Sequence, residues 1–361
     1  MTAAADRALV RARMAAQEIS TTSEWSPAAI VRWMTAMQAQ DVASATWSIG
    51  LRNPKLSLAD INRAFVDGSI VRSWPMRGTL HVVAPEDLRW ILALTRERLI
   101  RGSLARRLAL GLGEADLERA RTAAHEALSG GRSRPRNAMY RVFDDAGVAT
   151  TGQRGYHILW FLSQTGTLIF GPPSGTTQTF ALLDEWAPVQ RQLERDEAIG
   201  EFVLRYFRSH GPASIRDFAW WSSMTLTEAK TGLALARHQL DSVDRDGEPL
   251  YFAADTALDF PRDGVRLLPG FDEYLLGYRD RTPQLPASRA DDIVPGGNGV
   301  FRGTVVDDGT VVGSWKRTPS RTGVALDIRM FSSANSRIDR GISQAEHSYS
   351  EFVSGAHGRG R

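Results

Sequence analysis

Apolar residues recur along the chain with helical spacing in some segments and with strand-like alternation in others. In residues 26–40 the apolar stripe has the i, i+3, i+4, i+7 spacing of an amphipathic helix and consists of Ile30, Trp33, Met34 and Met37. Ser26 and Pro27 supply the residue types that favour an N-cap and a first helical turn. The pattern predicts one helix that runs through Gln40.

The segments after this helix predict a winged helix-turn-helix. Residues 56–68 have the pattern of a second helix, which ends at Gly68. Two β-prone runs follow at 70–74 and 78–83. Helices followed by such a β-hairpin are typical of that motif.

The same order of elements recurs twice further along the chain. The expected helices lie at 117–130, 134–147 and 156–166 before a hairpin at 168–183, and at 196–211, 213–223 and 225–239 before a hairpin at 240–253. The residues themselves do not repeat. The recurrence predicts three units of one architecture in roughly residues 1–255.

After residue 264 the pattern becomes strand-like. Strands are expected within 265–278, 300–315 and 323–331, a long exposed loop within 282–299, and a final helix near 343–354. Asp246-Gly247 and Asp308-Gly309 are expected to form tight hairpin turns. We therefore expect an α+β protein with three tandem winged helix-turn-helix units and a small C-terminal β-barrel-like unit. The expected boundaries are 1–112, 113–190, 191–262 and 263–361.

Composition narrows the possible functions. The chain has 361 residues and no cysteine, which excludes disulfides, thiolate nucleophiles and Cys-ligated metals. Its seven histidines form no HxxxH or HExxH pair, so we expect no metal site. No apolar run reaches the roughly 20 residues that span a bilayer, and the N-terminus lacks the apolar region of a signal peptide, so we expect a cytoplasmic protein without membrane association.

Basic residues are almost all arginines, which account for 41 of the 44. Guanidinium groups bind phosphate in a bidentate manner, so this bias suits nucleic acid. A GC-rich genome that encodes Arg in place of Lys explains it equally well. Basic stretches such as Arg132, Arg134 and Arg136 could neutralise phosphates, or they could form a solvated helix face.

Few segments carry residues suited to catalysis. Gln38 and Gln40 end the predicted first helix, where residues two apart diverge by about 200°. They could share a substrate only at a helix end or across a groove. His81 lies on a predicted strand and is either a hydrogen-bonded structural group or a base. The pair Asp272-Glu273 suits a strand end, where adjacent side chains point to opposite faces.

Several short motifs, in this order, resemble the AlkZ-type family of winged-helix DNA glycosylases. They are Gln38-Ala39-Gln40, Arg77-Gly78-Thr79-Leu80-His81, Gly211-Pro212-Ala213 with Asp217-Phe218, Leu268-Pro269-Gly270-Phe271-Asp272-Glu273-Tyr274, Gly297-Asn298-Gly299-Val300-Phe301-Arg302 and Val312-Gly313-Ser314-Trp315. The resemblance runs from about residue 7 to residue 354. It implies a fold shaped like a C around duplex DNA, without a cofactor.

The resemblance also implies an activity, hydrolysis of the N-glycosidic bond of N7-alkylated guanine, in some members within interstrand crosslinks. The family's Gln-x-Gln signature falls on Gln38 and Gln40, in the form that is similar to the self-resistance subgroup of producers of DNA-alkylating metabolites. Alanine at the middle position is smaller than the apolar residue expected there. We expect DNA contacts at Arg77, Arg132, Arg134, Asn298, Arg302, Lys316 and Arg317, with Asp41 and His81 in supporting positions.

The expected partner is double-stranded DNA that carries an alkylated guanine. Three winged helices in one chain could grip a duplex without a second subunit, so a monomer is expected. The alternative is a non-catalytic winged-helix DNA-binding protein, such as a regulator or an adduct sensor. Such a protein would keep the arginines and would not need the two glutamines.

Overall fold

The computed structural model describes residues 3–20, 23–320 and 323–355. The helices are α1 (Ala3–Ala16), α2 (Pro27–Met34), α3 (Val42–Gly50), α4 (Leu58–Val66), α5 (Leu88–Gly102), α6 (Leu104–Ala109), α7 (Glu114–Leu128), α8 (Arg136–Asp145), α9 (Arg154–Gln164), α10 (Leu183–Trp186), α11 (Arg195–His210), α12 (Ile215–Ser222), α13 (Leu226–Ala236), α14 (Glu273–Leu276), α15 (Ala290–Ile293) and α16 (Ser336–Ser354). Short 3-10 turns lie at Pro85–Asp87, Arg237–Gln239, Ala287–Arg289 and Pro295–Gly297. None of the described helices is long and apolar enough to cross a membrane.

Strands are mixed with these helices along the chain. They are β1 (Ala36–Gln38), β2 (Val71–Met76), β3 (Thr79–Val83), β4 (Arg134–Pro135), β5 (Leu168–Phe170), β6 (Thr179–Leu182), β7 (Leu240–Arg245), β8 (Glu248–Ala253), β9 (Val265–Leu268), β10 (Gly303–Asp307), β11 (Thr310–Ser320) and β12 (Gly323–Met330). The chain divides into two compact units, residues 1–62 with 199–361 and residues 63–198. The division into four segments and the winged-helix interpretation stay predictions.

The central unit, residues 63–198, contains the order β3-β2-β5-β6-β4 in one antiparallel sheet. Arg77 and Gly78 form the turn between β2 and β3, and both have positive φ. Two-residue hairpin turns of this kind need such backbone angles, and glycine adopts them without steric cost. A core of α7, α8 and α9 side chains, including Phe143 and Leu162, packs with sheet residues such as Phe180.

The other unit contains an antiparallel sheet with the order β12-β11-β10-β9 and a separate β7–β8 hairpin. Asp246-Gly247 and Asp308-Gly309 form the predicted tight turns, with positive φ at each residue. In the described part of the chain β9 and β12 are the two edges of an open sheet, so no closed barrel is found. The β-barrel-like interpretation of this unit is not confirmed.

Sequence periodicity misplaced three features in this unit. Strand β9 ends at Leu268, and Glu273 to Leu276 form a helical turn instead of a continued strand. The segment 282–299 is not wholly an exposed loop, because it contains the short helix α15, with Ile293 buried. The helix predicted to run through Gln40 ends at Met34, since Thr35 has a φ of 67° and the chain continues as a strand. That early end determines how the two glutamines are presented.

Candidate active site

Gln38 is the last residue of strand β1, and Ala39 and Gln40 follow it outside any helix. Burial alternates along this segment: Met37 and Ala39 are buried, Gln38 is half-buried and Gln40 is exposed. The predicted divergence of about 200° assumed a helix and does not apply, because the helix ends at Met34. Gln38 and Gln40 are the two more exposed residues of the segment, on either side of the buried Ala39. The small central Ala39, which is fully buried, is the side chain that enters the interior.

A buried carboxylate supports the start of this segment. Glu273 Oε1 accepts a hydrogen bond of 2.9 Å from the backbone N–H of Gln38. Its Oε2 accepts another of 2.9 Å from the indole Nε1 of Trp221. Two N–H donors thus stabilise the carboxylate where water is excluded. Since Glu273 binds the backbone of Gln38 and not its amide, it fixes the position of the residue without occupying the side chain.

His210 lies beside the same carboxylate, with Nε2 3.9 Å from Glu273 Oε2. Burial lowers the pKa of His210, and the nearby Glu273 only partly opposes that effect. The imidazole is therefore neutral near pH 7 and stacks on Tyr206 at a centroid distance of 4.8 Å. Glu273 is stabilised mainly by N–H donors rather than by a histidine cation.

Asp272 is buried next to Glu273 but has different partners. Arg52 donates to it through Nη1 at 3.0 Å and Nη2 at 3.2 Å, a bidentate pair with both side chains almost fully buried. Asp272 also caps α14 by accepting from the backbone N–H of Tyr274. The two adjacent acids have different surroundings, as predicted, but they do not lie at the end of a strand. Asp272 pairs with the Arg52 cation, and Glu273 accepts a hydrogen bond from the glutamine segment.

The other end of the glutamine segment is fixed by Asp41. Its Oδ2 caps α3 by accepting from the Ser44 N–H at 3.1 Å and also accepts from Arg317 Nη2 at 2.8 Å. Arg317, on β11, also contacts Tyr349, whose pKa is raised by burial. The phenol is thus protonated at neutral pH. Asp41 therefore connects the segment to both a helix and the sheet.

Asp41 is one of the residues that line a cavity of about 510 Å³. Of the residues predicted to contact DNA, Arg302, Lys316 and Arg317 line it, whereas Asn298 does not. Asn298 accepts from the backbone N–H of Val300 and stabilises its own exposed loop. Gln38 and Gln40 do not line this cavity themselves. Aromatic side chains form part of its wall. Phe271, Phe301 and Trp315 lie in the motifs of the resemblance but were not predicted as site residues, and the sequence did not single out Trp47 and Tyr349.

In the central unit, Arg77 and His81 contact each other. Arg77 Nη2 lies 2.9 Å from His81 Nε2, and His81 Nδ1 lies 3.0 Å from the carbonyl oxygen of Thr79. A guanidinium can only donate, so Nε2 accepts and the proton is on Nδ1, which donates to Thr79. His81 is fully buried. This geometry agrees with a structural histidine.

Arg132 and Arg134 lie at the C-terminal end of α7. Arg132 donates to the carbonyl oxygens of Ser129 and Glu126, and Arg134 donates to that of Ala127. Cations at this end of a helix satisfy its terminal carbonyls and interact favourably with its dipole. Both arginines therefore have a structural role, and Arg132 is also exposed.

Among the residues that the structure describes, no group of three His, Asp or Glu side chains could hold a metal ion.

Comparisons with known proteins agree with one another. The model of the AlkZ-like DNA glycosylase family matches residues 31–352. An interstrand DNA cross-link repair glycosylase from Streptomyces sahachiroi is 27% identical over 322 residues, which cover 84% of this chain and 85% of that protein. The solved structure of the S. sahachiroi DNA glycosylase AlkZ is similar with a TM-score of 0.81 at 24% identity, over 96% of this chain and 97% of that chain.

Proposed function

The chain belongs to the AlkZ-like DNA glycosylase family, and from this premise we propose that it hydrolyses the N-glycosidic bond of N7-alkylated guanine in duplex DNA. The curated relative is named for interstrand cross-link repair, and we extend the proposal to crosslinks made through guanine N7. Excision of such lesions would give a cell resistance to a DNA-alkylating metabolite. Water is the co-substrate, and no cofactor takes part.

The chemistry of the lesion makes this reaction accessible to uncharged residues. Alkylation at N7 gives guanine a positive charge, so the base leaves as a neutral molecule when the bond between C1′ and N9 breaks. Water adds its oxygen to C1′, and its proton passes to solvent. The protein then needs to orient that water and stabilise the positive charge that develops on the sugar, rather than supply a strong acid.

Gln38 and Gln40 meet these requirements. Each amide has two N–H donors and an acceptor oxygen, which can orient a water and contact a sugar oxygen. The single observation that carries the proposal is the burial along the segment, with Ala39 fully buried, Gln38 half-buried and Gln40 exposed. One glutamine holds the water, and the other contacts the sugar or the abasic product.

The proposal is tested by excision from a duplex with one N7-methylguanine, followed by alkaline cleavage of abasic sites. We expect wild-type protein to give strand scission, and Gln38→Ala and Gln40→Ala each to lower the single-turnover rate on the order of 10²-fold, the effect of losing one oriented hydrogen-bonding group. Gln239→Ala is the matched control, because Gln239 is exposed in another segment of the same unit. It should keep the wild-type rate.

Two outcomes would contradict the proposal in different ways. Tight duplex binding without scission above a no-enzyme control would favour the non-catalytic DNA-binding alternative. An active wild type with both alanine variants at full rate would leave the activity in place and move the site elsewhere.

We further propose that the protein acts as a monomer in the cytoplasm, where it associates with nucleoid DNA. Light scattering of the protein with and without a short duplex checks the first point. A mass of two chains for each duplex would contradict it.

A further inference from the structure

The cavity lined by Asp41 has no part in the proposed reaction, but its lining residues are connected to both ends of the glutamine segment. Asp41 directly follows Gln40 and lines the cavity. Phe271 also lines it and lies two residues before Glu273, whose carboxylate accepts from the Gln38 N–H. A group bound in the cavity would therefore contact the same loop that positions the glutamines.

Ring surfaces form much of the wall of this cavity. Trp47 donates its indole N–H to the carbonyl oxygen of Leu267 at 2.7 Å, and Trp315 donates to that of Leu268 at 2.7 Å. Tyr349 packs edge-on against Trp47 at a centroid distance of 5.0 Å. Because the indole N–H groups are already used by the backbone, these rings offer a ligand chiefly apolar surface. Such walls suit a flat hydrophobic group.

Phe271 is held toward the cavity by an unfavourable backbone. Its φ is 66°, in the left-handed region that bulky residues rarely adopt. The ring is only half-buried and lies 6.2 Å from Phe301, which also lines the cavity. The preceding Gly270 allows the close approach, since a Cβ there would lie 2.6 Å from the Phe301 carbonyl oxygen. Residues in such conformations cluster at ligand-binding sites, and the anchored acids on the C-terminal side stabilise this one.

Another wall of the cavity is polar and comes from one face of the sheet. Ser314 and Lys316 are two apart on β11, and their cross-strand partners on β12 are Arg329 and Asp327. Lys316 and Arg329 both pair with Asp327 at 3.4 Å. Asp327 therefore partly neutralises both cations of this wall. The cavity volume of about 510 Å³ lies in the range of small-molecule pockets, about 300–1,000 Å³.

We infer that this cavity binds the planar hydrophobic substituent carried by N7 of a bulky guanine adduct, with Phe271 as the residue that determines specificity. The inference rests on the proposed function, because it places the substituent beside the glutamines that act on the sugar. A methyl group is too small to fill the cavity. A ring attached to N7 gains contact with Phe271, Trp47 and Tyr349, so affinity rises with the aromatic surface of the adduct.

The test compares duplexes that carry N7-methylguanine or N7-benzylguanine, each with a 2′-fluorinated sugar that resists hydrolysis. Fluorescence anisotropy at fixed salt gives both dissociation constants without excision. We expect wild-type protein to bind the benzyl duplex on the order of tenfold more tightly. Phe271→Ala removes one contacting ring, and Ser314→Trp fills the cavity from β11. Both variants should bind the two duplexes equally.

Controls separate this inference from the proposed function. Phe331→Ala removes a half-buried ring that does not line the cavity, and it should keep the preference. Excision of unfluorinated N7-methylguanine by wild-type protein and by Phe331→Ala reports the reaction alone. If a thermal melt shows that Phe271→Ala is not folded, the affinities of Ser314→Trp for the two duplexes test the inference instead. Equal wild-type affinities, or a preference that Ser314→Trp retains, would overturn the inference, whereas absent excision with a preserved preference would overturn only the proposed function.

Discussion

The glutamine segment and the Arg77–His81 turn both carry motif residues, and the structure supports them in opposite ways. Around Gln38, the hydrogen bonds of Glu273 act on the backbone and on Trp221. At the turn, the side chains bind each other, since Arg77 donates to His81 and His81 is fully buried. A hydrogen bond to the backbone of Gln38 does not use its side-chain amide, as the proposed function requires. The hydrogen bond between Arg77 and His81 uses both side chains to stabilise the turn.

The largest effect is expected from removing the cation behind the glutamine segment. Arg52→Met leaves Asp272 as a buried charge without its bidentate partner, which should lower the free energy of unfolding by about 3–5 kcal/mol. Urea unfolding measures it. Arg119→Met, which breaks an exposed ion pair with Asp116, should cost at most about 1 kcal/mol. Equal losses in the two variants would show that the buried pair is not a main support.

Glu273→Gln should have an intermediate effect, on rate. A glutamine has one acceptor oxygen and one N–H donor group, so either the Gln38 N–H or the Trp221 N–H would face a donor. We expect the single-turnover excision rate to fall on the order of tenfold, because small misplacements of reacting groups are costly. The dissociation constant for duplex DNA should not change.

A matched variant for this prediction is Glu201→Gln, whose carboxylate pairs with Arg205 outside the glutamine segment. It should excise at the wild-type rate. If Glu273→Gln instead weakened DNA binding and left the rate intact, the carboxylate would have a role in affinity and not in positioning.

The smallest effect is expected at the turn. Arg77→Ala removes a guanidinium that both binds His81 and is expected to contact DNA. Duplex affinity should fall less than tenfold, and the slope of log affinity against log salt should decrease by about 1. The excision rate at saturating protein should stay the same. A large loss of that rate would remove the contrast between the two segments.

Local signals in the sequence were sufficient for many elements. Ser26 caps α2 as predicted, and Pro27 is its first residue. The helices expected in residues 117–166 and the Asp-Gly turns were also found. These features depend only on neighbouring residues, through their preferences for helix caps and turns and the spacing of apolar positions. They can therefore be predicted from one sequence.

The presentation of Gln38 and Gln40 was decided by the tertiary structure. The helical spacing of Met37 continued the stripe of α2, yet Met37 lies in strand β1 after Thr35, whose φ is positive, and both Met37 and Ala39 are buried. Burial of these two side chains outweighs the weak helical preference of one short stretch.

The sequence by itself determined the family, the start of α2 and the Asp-Gly turns. The tertiary structure alone decided that Glu273 accepts from the Gln38 N–H, that Arg52 pairs with Asp272, and that Phe271 lines a cavity. Both of these hydrogen bonds join residues that are more than 200 positions apart in the sequence. Periodicity reports only which side of an element is apolar, so the partner that a buried polar group finds across the fold becomes visible only when the chain is packed.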